Sequence, residues 1–309
     1  MSARHGWVDL LDPTIDEIRA NAGVELHERA LQALARPAVE DAPRPTIEGH
    51  GKYVFGILLV PVAVPEEDRI FTQEIDFVLT HDRLLTVRKT PHGEAPFDPS
   101  AIVSVCESRE RLDPGMVAFH LVDEIAEHYL DLLDALDDEV EELEDNVEVW
   151  SPLRVQRRLS DLRRDVIQLR RNIAPLRDAV RGVVDGRTDI EGRPLFRREV
   201  FSQDVELHFI QAYDKLLRVT EGLDFARDLV ASVRDYSQTK IATDQNRVTK
   251  TLTVIASLLL FPTFIVGVYG QNFKHMPELH WRLGYLFSWG VIAVVTLGQL
   301  AFFRWRRWI

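Results

Sequence analysis

Residues 268–279 read VYGQNFKHMPEL and separate two long apolar runs near the C-terminal end of the 309-residue sequence. The first run, residues 251–269, and the second, residues 283–303, contain no Asp, Glu, Lys or Arg. A helix rises about 1.5 Å per residue and the hydrocarbon core is about 30 Å thick, so each run is long enough to span a bilayer. The alternative is that the runs are buried helices of a soluble protein. Two such runs in tandem at the end of a charged chain argue against it.

The cations that flank the two runs predict the orientation of the chain in a membrane. Arginine and lysine residues precede the first run and follow the second, and the connecting loop holds Lys274 and Arg282 alone. Because cytoplasmic flanks carry an excess of Lys and Arg, we expect both termini in the cytoplasm and an inner or plasma membrane location. The flanking cations are Arg247, Lys250, Arg304, Arg306 and Arg307. Trp281, Trp305 and Trp308 lie at the ends of the apolar runs, where a membrane–water interface favours aromatic residues.

Composition excludes several other classes of protein. The formal net charge of −12 argues against nucleic-acid binding. The single cysteine, Cys106, excludes an intrachain disulfide and a Cys-rich metal site, and its apolar surroundings favour a small core residue. No Gly-rich phosphate loop, catalytic triad spacing or His/Cys cluster is apparent, so we expect neither an enzyme nor a catalytic cofactor.

Residues 1–118 are predicted to form an α/β domain. Residues 53–60, 75–79 and 84–87 are rich in β-branched and aromatic residues and indicate strands. Asp12 and Pro13, followed by two acids, indicate a helix capped by Asp12 with Pro13 in its first turn. The acids and histidines of this domain are interpreted as surface residues.

Residues 119–250 are predicted to form long helices. Apolar residues recur every three or four positions in the first of them, which is typical of a helix; they are Ile125, Tyr129, Leu132, Leu136, Val140, Leu143 and Val147. Residues 134–145 are dominated by carboxylates, and the stretch after Pro152 is rich in arginine, which favours an antiparallel hairpin with charge pairing. The acidic run is either a solvated face or a surface that concentrates or senses cations.

A third helix is predicted from about Arg197 into the first apolar run, because residues 223–261 contain no Gly or Pro. Within the run, mostly small or polar residues recur at steps of three or four and share one face; they are Asn246, Thr249, Thr253, Ala256, Leu260, Thr263, Gly267 and Gly270. This face indicates either close helix packing or a pore lining. Two spans cannot enclose a pore, so conduction requires a ring of copies. Residues 251–309, which contain both apolar runs, are predicted to form the third domain, a transmembrane pore domain.

Gly270-Gln271-Asn272, followed by Met276-Pro277-Glu278-Leu279 between two C-terminal spans, resembles the CorA family of magnesium channels and its zinc-transporting ZntB relatives. The resemblance implies a funnel-shaped homopentamer with the first span lining the pore. It implies a mouth at Gly270, Gln271, Asn272 and Glu278, where Asn272 holds hydrated Mg²⁺ through its side-chain carbonyl. It also implies a lining of Asn246, Thr249, Leu252, Thr253, Leu260, Thr263 and Gly267, with Leu252 and Leu260 as apolar constrictions.

The resemblance also implies regulation by Mg²⁺ bound between the soluble domains, for which Asp204, Asp214 and the acids of residues 134–145 are candidates. The sequence departs from the family pattern at Gln271, where the signature has Met, and at Lys274, which offsets the cation attraction of Glu278. His275 and His280 are candidate Zn²⁺ ligands in a ring of copies. We therefore expect a divalent cation channel or transporter for Mg²⁺, with Co²⁺ or Ni²⁺ as further ions. The alternatives are a Zn²⁺ transporter and a non-conducting membrane scaffold or sensor.

Overall fold

The structure, a computed structural model, describes residues 6–39, 42–64, 69–109, 113–186, 201–271 and 276–308. It divides into two compact units, Met1–Arg234 and Asp235–Ile309. The dividing point lies within the longest helix, which contributes residues to both units. The domain boundaries expected after residues 118 and 250 stay predictions.

The first unit is built on a five-stranded mixed sheet in the order β1-β5-β4-β3-β2. β1 and β5 are parallel, and the other neighbouring strands are antiparallel. The strands are β1 (Trp7–Leu11), β2 (Thr46–Gly49), β3 (Val54–Val64), β4 (Arg69–Leu79) and β5 (Leu84–Arg88). The three predicted strands correspond to β3, β4 and β5, and the edge strands β1 and β2 were not predicted.

Seven α-helices accompany the sheet among the described residues. They are α1 (Ile15–Ala22), α2 (Glu28–Ala35), α3 (Ser100–Glu107), α4 (Pro114–Asn146), α5 (Pro152–Val184), α6 (Gln203–Tyr269) and α7 (Gly284–Trp305). Helices α1 and α2 cover one face of the sheet, where Leu31 and Leu34 belong to the same buried cluster as Phe55. Helix α4 covers the other face, and its buried Tyr129 donates a hydrogen bond to the Leu59 carbonyl of β3 at 3.2 Å.

The prediction that Asp12 caps α1 is wrong, because Thr14 is the capping residue. The Thr14 hydroxyl accepts from the Glu17 amide at 3.4 Å, and the Glu17 carboxylate accepts from the Thr14 amide at 2.8 Å. This reciprocal pair satisfies two amides at the helix start, which Asp12 could not do from before Pro13. Asp12 instead accepts hydrogen bonds from the amide and hydroxyl of Thr90.

The predicted helical hairpin is confirmed by α4 and α5. The seven apolar residues named for the first helix are all buried. The Ser151 hydroxyl caps α5, with Pro152 at its first position. Glu139 of α4 and Arg158 of α5 form an ion pair of 3.0 Å across the hairpin. Helix α6 also pairs with α4, because Lys215 contacts Asp123 at 2.6 Å and Glu127 at 2.5 Å.

Helix α6 is 67 residues long, which corresponds to roughly 100 Å. Its predicted start near Arg197 lies outside the described residues. At Gly222 it approaches α4 so closely that a Cβ atom would lie 3.0 Å from Leu133 Cδ1. Glycine therefore allows the two helices to pack at this point.

The acids of the N-terminal domain are not all surface residues, which corrects the prediction. Glu74 and Asp76 of β4 are 2% and 0% exposed. They lie on the sheet face covered by α1 and α2, beside the equally buried Lys89. Cys106 is buried in α3, as predicted, and burial raises the pKa of its thiol.

Candidate functional site

The second unit contains the apolar part of α6 and helix α7, and α6 has two different sides there. One side is buried or half-buried and includes Val254, Ser257, Leu258, Pro262 and Ile265. This side contacts α7 through Gln299, whose Nε2 donates to the Ser257 carbonyl at 3.4 Å. Sequence analysis missed this contact, although an amide within a charge-free span was a usable signal.

The predicted pore-lining residues lie on the other side of α6 and are all exposed in the single chain. These residues are Asn246, Thr249, Leu252, Thr253, Leu260, Thr263 and Gly267. Leu252 and Leu260 expose 61% and 67% of their surface. At about 100° per residue, this face lies roughly opposite the side that contacts α7. The face is therefore available to water or to further copies of the chain, and its role as a lining stays a prediction.

The threonine hydroxyls of this face are held in one orientation by the helix itself. Thr253 Oγ1 donates to the Thr249 carbonyl at 2.8 Å, and Thr263 Oγ1 donates to the Leu259 carbonyl at 2.7 Å. Thr249 makes the same contact with the Gln245 carbonyl at 2.8 Å. Each hydroxyl donates its proton within the helix. Its oxygen therefore keeps lone pairs that can accept a hydrogen bond from water or coordinate a cation.

The end of α6 forms the start of the predicted mouth. The Gly270 amide donates to the Val266 carbonyl at 2.9 Å, and a Cβ atom at Gly270 would lie 3.2 Å from that oxygen. Gln271 is exposed, and its amide donates to the Val268 carbonyl at 3.3 Å.

The rest of the mouth is described only in part. Asn272, Lys274 and His275 lie outside the described residues. A short 3₁₀ helix, Pro277–His280, follows, and its Glu278 side chain also lies outside the described part. His280 Nδ1 lies 3.3 Å from the Met276 carbonyl. The roles assigned to Asn272, Glu278 and the two histidines stay predictions.

The candidate regulatory acids lie on exposed surfaces of the first unit. Asp204 and Asp214 of α6 are both exposed, and ten residues of helix separate them by about 15 Å. Among the described residues, no group of three or more His, Cys, Asp or Glu side chains is arranged to hold a metal ion. On α4, burial and the neighbouring Asp134 and Asp138 raise the pKa of Asp137. Burial is the larger of these causes, and the two neighbouring carboxylates add to it.

Two helices among the described residues are long and apolar enough to cross a membrane: Gln203–Tyr269, through its apolar part, and Gly284–Trp305. Their apolar side chains are largely exposed, as at Phe264 and Leu286. After α7, the exposed Arg306 and Arg307 follow directly. Trp308 stacks on Phe303 with ring centroids 5.8 Å apart.

Residues 2–307 match the model of the family described as CorA-like Mg²⁺ transporter protein. The chain belongs to the CorA family. It is similar to the cobalt/magnesium transport protein CorA of Thermotoga maritima, with 27% identity over 274 residues, 86% of this chain and 73% of that protein. CorA-family members are divalent cation transporters in membranes, not enzymes.

Solved structures show the same fold. The complete structure of the CorA magnesium transporter from Methanocaldococcus jannaschii matches 98% of this chain and 91% of its own, with a TM-score of 0.76 and 20% identity. The ZntB cytoplasmic domain from Vibrio parahaemolyticus covers 77% of this chain and 88% of its own, with a TM-score of 0.56 and 17% identity. The similarity to the complete CorA structure confirms the expected architecture of an N-terminal α/β domain, long helices and two C-terminal apolar helices.

Proposed function

We propose that this chain forms a homopentameric channel for Mg²⁺ in the plasma membrane, with both termini in the cytoplasm. Residues 251–269 of α6 line the pore, and α7 lies outside them. The observation that carries the proposal is the exposed face of α6, which holds small and polar residues opposite the side that contacts α7. Lipid would not favour such a face, whereas a water-filled path would.

The chemistry of this face suits a hydrated divalent cation. The threonine hydroxyls offer oxygen lone pairs, and Asn246 offers an amide carbonyl at the cytoplasmic entrance. Mg²⁺ gives up its water reluctantly, so neutral oxygen acceptors can hold the ion through its hydration shell. Asn272 completes the proposed outer mouth in the same way, and Leu252 and Leu260 form apolar constrictions that close the pore by losing water. Co²⁺ and Ni²⁺ are further candidate ions.

Zn²⁺ is a second candidate ion because of Gln271 and the nearby His280. Gln271 is exposed beside the mouth, where the resembled signature has Met. An exposed amide in five copies changes the donors that an entering ion meets, and His280 is close enough in sequence to add imidazole nitrogens. A Zn²⁺ transporter therefore differs from the main proposal in its ion, not in its pore.

Ion flux into proteoliposomes tests the proposal. The purified chain is reconstituted, and uptake of Mg²⁺, Zn²⁺, Co²⁺ and Ni²⁺ is followed separately under an inside-negative potential. We expect Mg²⁺ uptake, and a repeat with a pH gradient distinguishes a passive channel from proton-coupled transport. Asn272→Ala should lower Mg²⁺ uptake by at least about tenfold, because the proposed ring loses five carbonyl contacts to the hydrated ion and a total loss of roughly 1.4 kcal/mol already corresponds to tenfold.

Asn146→Ala is the matched control, because it removes an amide from the end of α4, where Asn146 donates to the Glu142 carbonyl. This variant should keep full uptake. Uptake of no divalent ion above the lipid background would contradict transport and favour a non-conducting scaffold. Uptake of Zn²⁺ without Mg²⁺ would replace the proposed ion.

A further inference from the structure

Four charged side chains meet on the sheet face that α1 and α2 cover. Lys89, directly after β5, donates from Nζ to Glu74 Oε1 at 2.5 Å and to the Ala33 carbonyl at 2.9 Å. The same Nζ lies 2.6 Å from Asp76 Oδ2. Arg36, at the end of α2, donates to Glu74 Oε1 at 2.8 Å. We name Arg36, Glu74, Asp76 and Lys89 the buried charge cluster.

The cluster ties the end of α2 to the sheet. Ala33 lies in the last turn of α2, where carbonyls lack donors from the helix. The Lys89 ammonium supplies such a donor and places a positive charge at the negative end of the helix dipole. Arg36 adds a second link, from the residue that caps α2 to Glu74. The attachment of α2 therefore depends on where the Lys89 ammonium is directed.

Asp76 is the least satisfied member of the cluster. It is fully buried, and neither of its oxygens accepts a hydrogen bond from the described residues. Its close polar contact is the Lys89 ammonium, whose Nζ lies 2.6 Å from Asp76 Oδ2. In the sheet it lies opposite Ile57 of β3 and Val87 of β5, which are apolar. A buried carboxylate in this position is costly in its charged form.

The charges around Asp76 come from three elements, and they do not cancel the cost of burial. Burial is the largest effect and raises the pKa of Asp76, Lys89 lowers it, Glu74 of the same strand raises it, and Arg36 of α2 lowers it. The net result is a pKa raised from 3.8 to about 7. We therefore expect the carboxyl to change its protonation state between pH 6 and pH 8.

We propose that Asp76 is a proton-binding site that controls how firmly the end of α2 is held on the sheet. In the structure the Lys89 ammonium lies close to Glu74, Asp76 and the Ala33 carbonyl at once. With Asp76 neutral, the carbonyl keeps this donor. When Asp76 releases its proton to water, the new carboxylate attracts the ammonium more strongly than a carbonyl dipole does. Ala33 then loses its donor, and the last turn of α2 opens more often.

Hydrogen exchange of the full-length protein in detergent tests this inference. Exchange rates of the α2 amides, divided by their intrinsic rates, are compared at pH 6 and pH 8. Protection of α2 should be at least about threefold higher at pH 6. In Asp76→Asn, which stays neutral, the protection of α2 should be the same at both pH values. Asp82→Asn, an exposed acid of the same unit, should keep the wild-type pH dependence.

A second measurement needs no variant. Infrared difference spectra of the wild-type protein should show a protonated carboxyl band at pH 6 that disappears with a midpoint near pH 7. Absence of that band would overturn the proton site. A titrating band together with pH-independent exchange in α2 would overturn the control of α2. If Asp76→Asn folds and still shows pH-dependent protection of α2, another group is responsible and the inference is wrong.

Discussion

Gly56 in β3 lies directly opposite Phe77 in β4, and the Phe77 ring covers its Cα. A Cβ atom at position 56 would overlap the edge of that ring, with Cδ1 only 2.8 Å away. Phe77 is 1% exposed and belongs to the cluster that joins the sheet to α4. The absent side chain at residue 56 therefore positions an aromatic ring in the core.

We predict that Gly56→Ala destabilises the first unit by roughly 1–3 kcal/mol, because a methyl group has no space beside a fully buried ring. The thermal unfolding midpoint of the full-length protein, followed by circular dichroism in detergent, measures the effect. Phe77→Leu removes the ring edge, so Gly56→Ala should cost much less in that background. Equal costs in both backgrounds would show that the ring is not the obstacle.

The same strand shows why part of the structure could not be predicted from the sequence. In β4, Ile75, Phe77 and Leu79 point to one face and Glu74, Asp76 and Val78 to the other, which is typical of a half-exposed strand. The acids were therefore interpreted as surface residues. They are buried because α1 and α2 cover that second face, and this long-range packing leaves no local signal.

Along α6, by contrast, the periodicity predicted which residues share the small and polar face of the apolar part, but it did not predict the side that contacts α7. The small and polar residues lie on the exposed face, and Ser257 contacts α7 from the other side. Helix geometry alone determines which residues share a face, and the role of this face as a lining stays a prediction. Pro262 lies inside the helix, and its lack of an amide proton leaves the Leu258 carbonyl without its usual donor.

We predict that cysteine substitutions along α6 react with a charged, water-soluble thiol reagent in a pattern that follows the proposed lining. In a Cys106→Ser background, Thr253→Cys and Leu260→Cys should react at least about tenfold faster than Ile265→Cys, since thiolate forms in water and not in apolar contact. Labelling of reconstituted protein, followed by mass spectrometry, measures the rates.

Two further substitutions separate a water-filled lining from simple exposure. Ile255 and Val266 expose 49% and 63% of their surface in the single chain, but they lie off the proposed lining. Cysteines at these positions should react slowly because they meet lipid. Fast reaction at all exposed positions would mean that the face is not a distinct path for water.

At the scale of the whole molecule, the described residues of one chain contain two apolar helices that could cross a membrane, and two helices cannot surround an ion. The sequence indicated that several copies are needed, because two spans per chain cannot enclose a pore. The number five came from the family resemblance alone. Acidic residues on α4 and basic residues on α5 are partly paired within the chain, as Glu139 is with Arg158.

Mixing active and inactive chains tests whether a ring of five conducts as one unit. Wild-type protein is combined with Asn272→Ala in equal amounts before reconstitution, so that the copies assemble at random. If every copy must contribute its oxygen to the mouth, only about 3% of the pentamers are fully wild type. The flux then falls to little more than the residual flux measured for Asn272→Ala alone. Mixtures with Asn146→Ala should keep full flux. A flux of one half, proportional to the wild-type fraction, would show that each chain conducts independently and would contradict a shared pore.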